Sequence, residues 1–128
     1  MALVLKTTTG NSVLDNLYDT LFGASPVAEI RTGAPAGPDA VAGGTLLVST
    51  TAPAAAFTAA AAKSKAKTGT WSNTAAATGT AGHFRFRNTA DTVREEGLCA
   101  ASGSDMNLDN VSIATGQTVT ITTYTRTI

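Results

Sequence analysis

The last third of the chain, residues 83–128, constrains the fold more than any other stretch. It opens with His83-Phe84-Arg85-Phe86-Arg87, in which two aromatic residues alternate with polar residues. This alternation is typical of a strand with one buried face. The stretch ends with a β-branched run from Thr118 to Thr127, which favours an extended backbone over a helix. Turn residues separate the apolar runs at short intervals, so we predict several strands that fold back on one another.

The whole pattern predicts a mainly β protein, namely an antiparallel β-sandwich or jelly-roll-like domain with one N-terminal α-helix. We expect residues 1–10 to be an extended N-terminal arm and residues 11–128 to form a single domain that begins with a helix over residues 11–22. Ser12 and Asp15 resemble a capping pair, and Gly23 supplies a left-handed stop. The residues expected on the buried stripe of this helix are Val13, Leu14, Leu17, Leu21 and Phe22.

The remaining strands are predicted from short apolar runs between turn signals. The alanine-rich residues 54–62 are predicted to be a loop anchored by Phe57, because Pro53 precedes them. In the last strand Tyr124 falls on the face opposite Val119 and Ile121, so either a bulge shifts the phase or Tyr124 covers a second surface. The predicted strands are 27–32, 45–50, 63–71, 80–87, 92–100, a segment around Met106 and Leu108, a segment around Val111 and Ile113, and 118–127.

The composition predicts a thin core. Ala and Thr make up more than a third of the 128 residues, whereas charged residues supply 14% and aromatic residues 5%. Apolar burial contributes about 25 cal/mol per Å² and must offset about 1 to 2 kcal/mol of backbone entropy per ordered residue. We therefore expect neighbouring subunits to add stability and the chain to be a homo-oligomer.

The net charge and the N-terminal sequence indicate which partners and which compartment to expect. The formal net charge is zero, so no long-range field attracts nucleic acid or an anionic membrane, and neither is expected as a partner. Lys63, Lys65 and Lys67 alternate and are predicted to form one solvated face of a strand. The N-terminal run has its lysine behind the apolar residues, which does not fit a secretory signal, so synthesis in a cytoplasm is expected.

No arrangement of reactive residues indicates an enzyme, a cofactor or a metal site. His83 is the single histidine and is predicted to be solvent-facing or hydrogen-bonded on its strand. Glu95 and Glu96 are neighbours and point to opposite faces of a strand, so they do not form an acid/base pair. Cys99 has no partner for an internal disulfide and is expected to be a small buried hydrophobe.

The C-terminal half resembles a family of small structural proteins of tailed bacteriophages. The resemblance rests on four segments in order, residues 78–85, Gly97-Leu98, residues 104–108 and residues 112–121. A leading helix at residues 14–23 and a following strand at residues 28–33 also resemble that family. The matched motifs are turn and strand chemistry, and residues 33–72 lie outside them.

The resemblance implies a virion component, most simply a capsid decoration or cement protein that binds major capsid subunits. In this interpretation the arm, with Leu3, Val4 and Leu5, adds as a strand to a capsid protein or to a sister subunit. A tail, collar or head-fibre component is an alternative within phages. An alternative of another class is a carbohydrate- or receptor-binding module, for which Trp71 is the one aromatic candidate in a loop.

Overall fold

The computed structural model describes residues 4–128, and the predicted arm residues Met1, Ala2 and Leu3 lie outside this range. It confirms a mainly β fold with one N-terminal helix. The helical elements are α1 (Thr7–Asp15) and its π-helical continuation (Asn16–Leu21). The strands are β1 (Val27–Thr32), β2 (Leu46–Thr51), β3 (Ser64–Ala66), β4 (Trp71–Thr74), β5 (Gly79–Arg87), β6 (Arg94–Ala100), β7 (Met106–Leu108), β8 (Ser112–Ile113) and β9 (Thr118–Thr127).

The strands form one curled sheet that closes into a half-barrel. The order is β2-β1-β5-β6-β7-β9-β3, with β4 also paired to β9 and β8 to β5. All pairs are antiparallel except β6 with β7, which makes the sheet mixed. The curl brings β2 back towards β4, where the Asn73 side chain donates to the Ser49 carbonyl at 2.7 Å and the Ala76 N–H donates to the Leu47 carbonyl at 2.8 Å.

The core is an aromatic cluster inside the curl. Phe86 stacks on Trp71 at 5.8 Å between ring centroids and lies 4.8 Å from Phe22. Phe57 meets Trp71 edge-on at 5.5 Å, which confirms its predicted role as the anchor of the alanine-rich loop. Aromatic pairs contribute about 0.5 to 1.5 kcal/mol beyond their buried area. A few large rings therefore compensate for the many alanines and threonines.

The helix begins at Thr7, so the prediction that residues 7–10 belong to an extended arm is wrong. Threonine and glycine are weak helix formers, but contacts with Lys63 override this preference. Gly10 packs so closely on Lys63 that a Cβ would lie 2.5 Å from the lysine Cγ. The Asn11 side chain accepts a hydrogen bond from the Lys63 N–H at 2.8 Å.

The buried stripe of the helix differs from the predicted one because the second half is π-helical. The wider π turn brings every fourth residue onto one line, and Leu14, Tyr18 and Phe22 are fully buried. Val13 and Leu21 were predicted to be buried but are 47% and 48% exposed. The predicted capping pair is also wrong, since the Ser12 hydroxyl donates to the Thr8 carbonyl. Gly23 follows the helix with φ 72°, as expected for its stop.

Strand β9 resolves the question of Tyr124. Its pairing with β7 skips one residue between Ile121 and Thr123, which identifies a bulge. Thr122 and Thr123 are both exposed, and Val119, Ile121 and Tyr124 are all buried. The bulge therefore returns Tyr124 to the core face.

The predicted strand 63–71 needs correction, and so does the single buried face predicted for residues 83–87. The predicted strand 63–71 is two short strands, β3 and β4, interrupted where Gly69 has φ 75°. Both pair with β9 on the same side, and the left-handed glycine realigns the chain between them. Strand β5 is as predicted, and Phe84 and Phe86 point inward, but His83 and Arg85 on the other face are also buried.

Candidate functional site

The N-terminal segment and one side of the helix present apolar side chains to solvent. Val4 is 76% exposed and Leu5 is 44% exposed, whereas Leu3 lies outside the described residues. Lys63 holds the base of this segment, because its Nζ donates to the Leu5 carbonyl at 3.0 Å. Two of the three predicted contact residues of the arm are thus available to a partner.

The exposed apolar side chains continue along the helix. Val13 and Leu21 lie one position before the buried residues Leu14 and Phe22, and Leu17 between them is partly buried against the core. We call Val13, Leu17 and Leu21 the helix surface. A stripe of apolar side chains of this kind is typical of a protein-binding face.

Trp71 is not available to any ligand. It is fully buried at the start of β4, and its indole N–H donates to the Thr68 carbonyl at 3.0 Å. The prediction that Trp71 contacts a partner or a sugar is wrong, because its ring is needed to fill a core that is otherwise poor in large side chains.

Lys65 also departs from its predicted place on a solvated face, because its side chain is fully buried. Its Nζ donates to Asp15 at 2.6 Å and to Asp19 at 3.0 Å, both on the helix. Burial alone would lower the pKa of the Lys65 amine, but the two carboxylates outweigh it and raise that pKa. The hydrogen bond from Lys65 and that from the Ala60 N–H lower the pKa of Asp15. This cluster fixes the helix to β3.

A second polar cluster lies where the helix crosses β6 and β9. The Glu95 carboxylate accepts hydrogen bonds from Tyr18 at 2.6 Å and from Tyr124, and Arg126 donates to it at 2.7 Å. Burial and the adjacent Glu95 charge raise the pKa values of both tyrosines, so both remain protonated donors. The sequence carries no signal for this cluster, since its members come from three separate elements.

On the opposite face of β5, Arg85 binds the proline-rich loop, residues 33–45. Arg85 pairs with Glu96 at 2.9 Å and donates to the Gly37 and Ala40 carbonyls. A cavity of about 350 Å³ lies beside this contact, and Glu29, Arg31 and Arg94 contribute to its lining.

Most charges of this cavity are paired, and Asp39 is the lining residue whose carboxylate forms no ion pair within residues 4–128. Arg31 and Arg87 each lie 2.9 Å from a Glu29 oxygen, and Arg94 lies 2.7 Å from Asp91. Burial would raise the pKa of Glu29, but the hydrogen bonds from Arg87 and Arg31 outweigh it and lower that pKa. The guanidinium groups therefore stabilise the sheet and the loop.

The single histidine and the single cysteine are both buried, and the His83 Nε2 has no hydrogen-bond partner within residues 4–128. His83 is fully buried and its Nδ1 lies 2.9 Å from the Gly33 carbonyl, which matches the predicted hydrogen-bonded histidine. Cys99 is buried as predicted, and burial raises the pKa of its thiol to about 11. Within residues 4–128 no three His, Cys, Asp or Glu side chains lie close enough together to hold a metal ion. No helix of the described chain has the length and apolar character needed to cross a membrane.

Comparison of the chain with protein-family models, with curated protein sequences and with solved structures finds no match.

Proposed function

We propose that this protein is a structural component of a bacteriophage virion, a capsid decoration protein that acts by binding major capsid subunits rather than by catalysis. The observation that carries the proposal is the helix surface, where Val13 is 47% and Leu21 48% exposed. The resemblance of the C-terminal half to small phage structural proteins supplies the identity of the partner.

Leaving the apolar helix surface in water costs free energy that a binding partner can recover. Burying an apolar side chain contributes about 1.5 to 3 kcal/mol, so covering even two of these residues provides a useful share of a binding energy. The ion pairs of Lys65 with Asp15 and Asp19 anchor the helix to the sheet, so the surface is presented on a rigid element. A rigid apolar face loses little conformational entropy on binding.

Binding to purified expanded heads that lack the protein tests this proposal. We expect Val13→Asp and Leu21→Asp each to weaken binding about tenfold or more, because each removes roughly 1.4 kcal/mol or more of contact energy. Val41→Asp is the matched control, since Val41 is 91% exposed on the loop that covers the other face of the sheet. Equal binding of all three variants and the unaltered chain would exclude the helix surface as the capsid contact.

A further inference from the structure

The sheet contains a strand position that is filled over only part of its length. Strand β7 lies between β6 and β9 but pairs with β6 at Cys99 and Ala100 alone. The residues that precede Met106 lie outside the strand. Among residues 4–128 no strand pairs with Arg94–Leu98 on the side of β6 that is opposite β5. The same holds for residues 125–127 of β9, whose strand partner is β3 on the other side. We call this interval the β6–β9 gap.

Backbone groups on both edges point into the gap. The Asn88 N–H donates to the Val93 carbonyl, so Asn88 and Val93 form a hydrogen-bonded pair of the β5–β6 ladder. Because hydrogen-bonded and non-hydrogen-bonded pairs alternate in an antiparallel ladder, the backbone N–H and C=O groups of Arg94 and Glu96 point away from β5. On β9, the Tyr124 carbonyl accepts a hydrogen bond from the Lys67 N–H, and the Ile128 N–H donates to the Lys63 carbonyl. These residues face β3, so the backbone groups of the alternate residues Thr125 and Thr127 face the gap. The Thr125 N–H already donates to the Asp105 carbonyl, at the end of the gap next to β7. The remaining groups match the hydrogen-bonding pattern of an added strand.

Both apolar and charged side chains surround the gap. Leu98 is 58% exposed on one edge and Ile128 is 40% exposed on the other. A cavity of about 210 Å³ extends between the edges and is lined by Phe84 and Tyr124 together with the polar residues Glu95, Glu96, Asp105, Thr125 and Arg126. Glu95 of β6 bonds across it to Tyr124 and Arg126 of β9. Within the described chain the Asp105 carboxylate forms no ion pair, so a cation of the incoming segment would find a partner there.

We propose that the β6–β9 gap receives the N-terminal residues 1–4 of a second copy of this chain as an added β-strand. Leu5 is held on its own copy by Lys63, so residues 1–4 are the part that can extend to a neighbour; they are apolar, and Lys6 follows them as a cation. Extended, four residues span about 13 Å and the five edge residues of β6 about 16 Å, so the segment can cover most of this edge.

The segment of the same chain fits the gap poorly. Its Leu5 carbonyl is held by Lys63, beside β3, and β3 and β9 lie between this point and the gap. Crossing two strands takes about 10 Å, and residues 1–4 span no more than about 14 Å. Too little of that segment would remain to pair along the edge. The proposal concerns contacts between copies and stands independently of a capsid partner.

Cysteine cross-linking between two purified variants tests the exchange without any phage component. In a Cys99→Ala background, Val4→Cys is mixed with Leu98→Cys under mild oxidation, and Val4→Cys with Ser72→Cys is the control, since Ser72 is an exposed residue of β4. We expect a mixed disulfide dimer in the first mixture and none in the control. A disulfide that forms only within a Val4→Cys/Leu98→Cys double variant, and never between chains, would overturn the proposal.

Removal of residues 1–5 from the chain that keeps Cys99 provides a second measurement, because α1 begins at Thr7 and stays intact. Light scattering should show an oligomer for the full chain and a monomer for the shortened chain. A full chain that is monomeric at high concentration, or a shortened chain of unchanged mass, would contradict the exchange. Cross-linking of Leu98→Cys to a capsid subunit instead of to Val4→Cys would also overturn it.

Discussion

At the scale of single residues, Lys65 depends on its ion-pair partners Asp15 and Asp19 more than they depend on it. Its side chain is fully buried, whereas those of Asp15 and Asp19 are 41% and 54% exposed. Water can replace the lysine for either carboxylate, but nothing can replace both carboxylates for the lysine. The cost of breaking the cluster should therefore depend on which partner is removed.

Urea denaturation of two variants measures this difference. We expect Lys65→Met to cost about 1 kcal/mol or less, because the carboxylates become hydrated and methionine fills the space. The double change Asp15→Asn and Asp19→Asn should cost about 3 kcal/mol or more, because it leaves a buried ammonium group without a counter-charge. Equal losses in the two variants would contradict this account of the cluster.

The same cluster predicts a pH dependence. Its hydrogen bonds lower the pKa of Asp15 below 3.8, so the folded protein holds this carboxylate ionised more strongly than the unfolded chain does. The contribution is present above the unfolded pKa and is lost as the pH falls through the folded pKa. In Lys65→Met the loss of stability below about pH 4 should be smaller than in the unaltered chain, and parallel acid titrations would argue against the cluster as its source.

At the scale of elements, the helix is fastened to the sheet through Glu95. Tyr18 reaches across from the π-helical turn to the Glu95 carboxylate, which also accepts from Tyr124 and Arg126. Hydrogen bonds to a charged group contribute about 1.5 to 3 kcal/mol each, more than neutral ones. The orientation of the helix surface therefore depends on this contact.

Tyr18→Phe should destabilise the protein by about 1 to 2 kcal/mol and increase hydrogen exchange of the helix amides, because the ring stays while its hydrogen bond is lost. The matched control is the same change in a Glu95→Gln background, where the cost should be smaller and the two changes non-additive. Unchanged exchange in the helix would show that apolar packing alone holds it.

Elements with a single local pattern were predictable from the sequence. Alternation located β5 and the inward Phe84 and Phe86, and the β-branched run located β9. The buried stripe of the helix was not fully predictable, because the π-helical turn that buries Tyr18 depends on Phe57 and Glu95, which are distant in sequence. The burial of Lys65 was missed for the same reason, since period two shows which residues share a face but not what covers that face.

The candidate site was predictable only in part. The apolar N-terminal run identified Val4 and Leu5, which are exposed, but the same reasoning placed Val13 and Leu21 in the core. Trp71 illustrates the opposite error, because a lone tryptophan between a lysine-rich segment and a polar segment looks exposed in the sequence. Trp71 is buried because it stacks on Phe86, a contact between β4 and β5 that the local sequence does not reveal.

At the scale of the whole molecule, the structure combines a half-barrel, an apolar helix surface exposed to solvent and a partly filled strand position in the sheet. In our proposals these two features are contact surfaces, whereas the paired arginines on the other face of β5 serve the fold itself. A molecule organised in this way is suited to assembly. We therefore treat incorporation into a phage head as the central proposal.

Quantitative mass spectrometry of purified virions tests this proposal most directly, by measuring the number of copies of this chain relative to the major capsid protein. A decoration protein that binds capsid subunits across the head is expected at a ratio near that of the capsid lattice sites, in the hundreds per particle if the head is of ordinary size. A handful of copies would instead indicate a tail, collar or connector position. Its absence from purified particles would contradict the account.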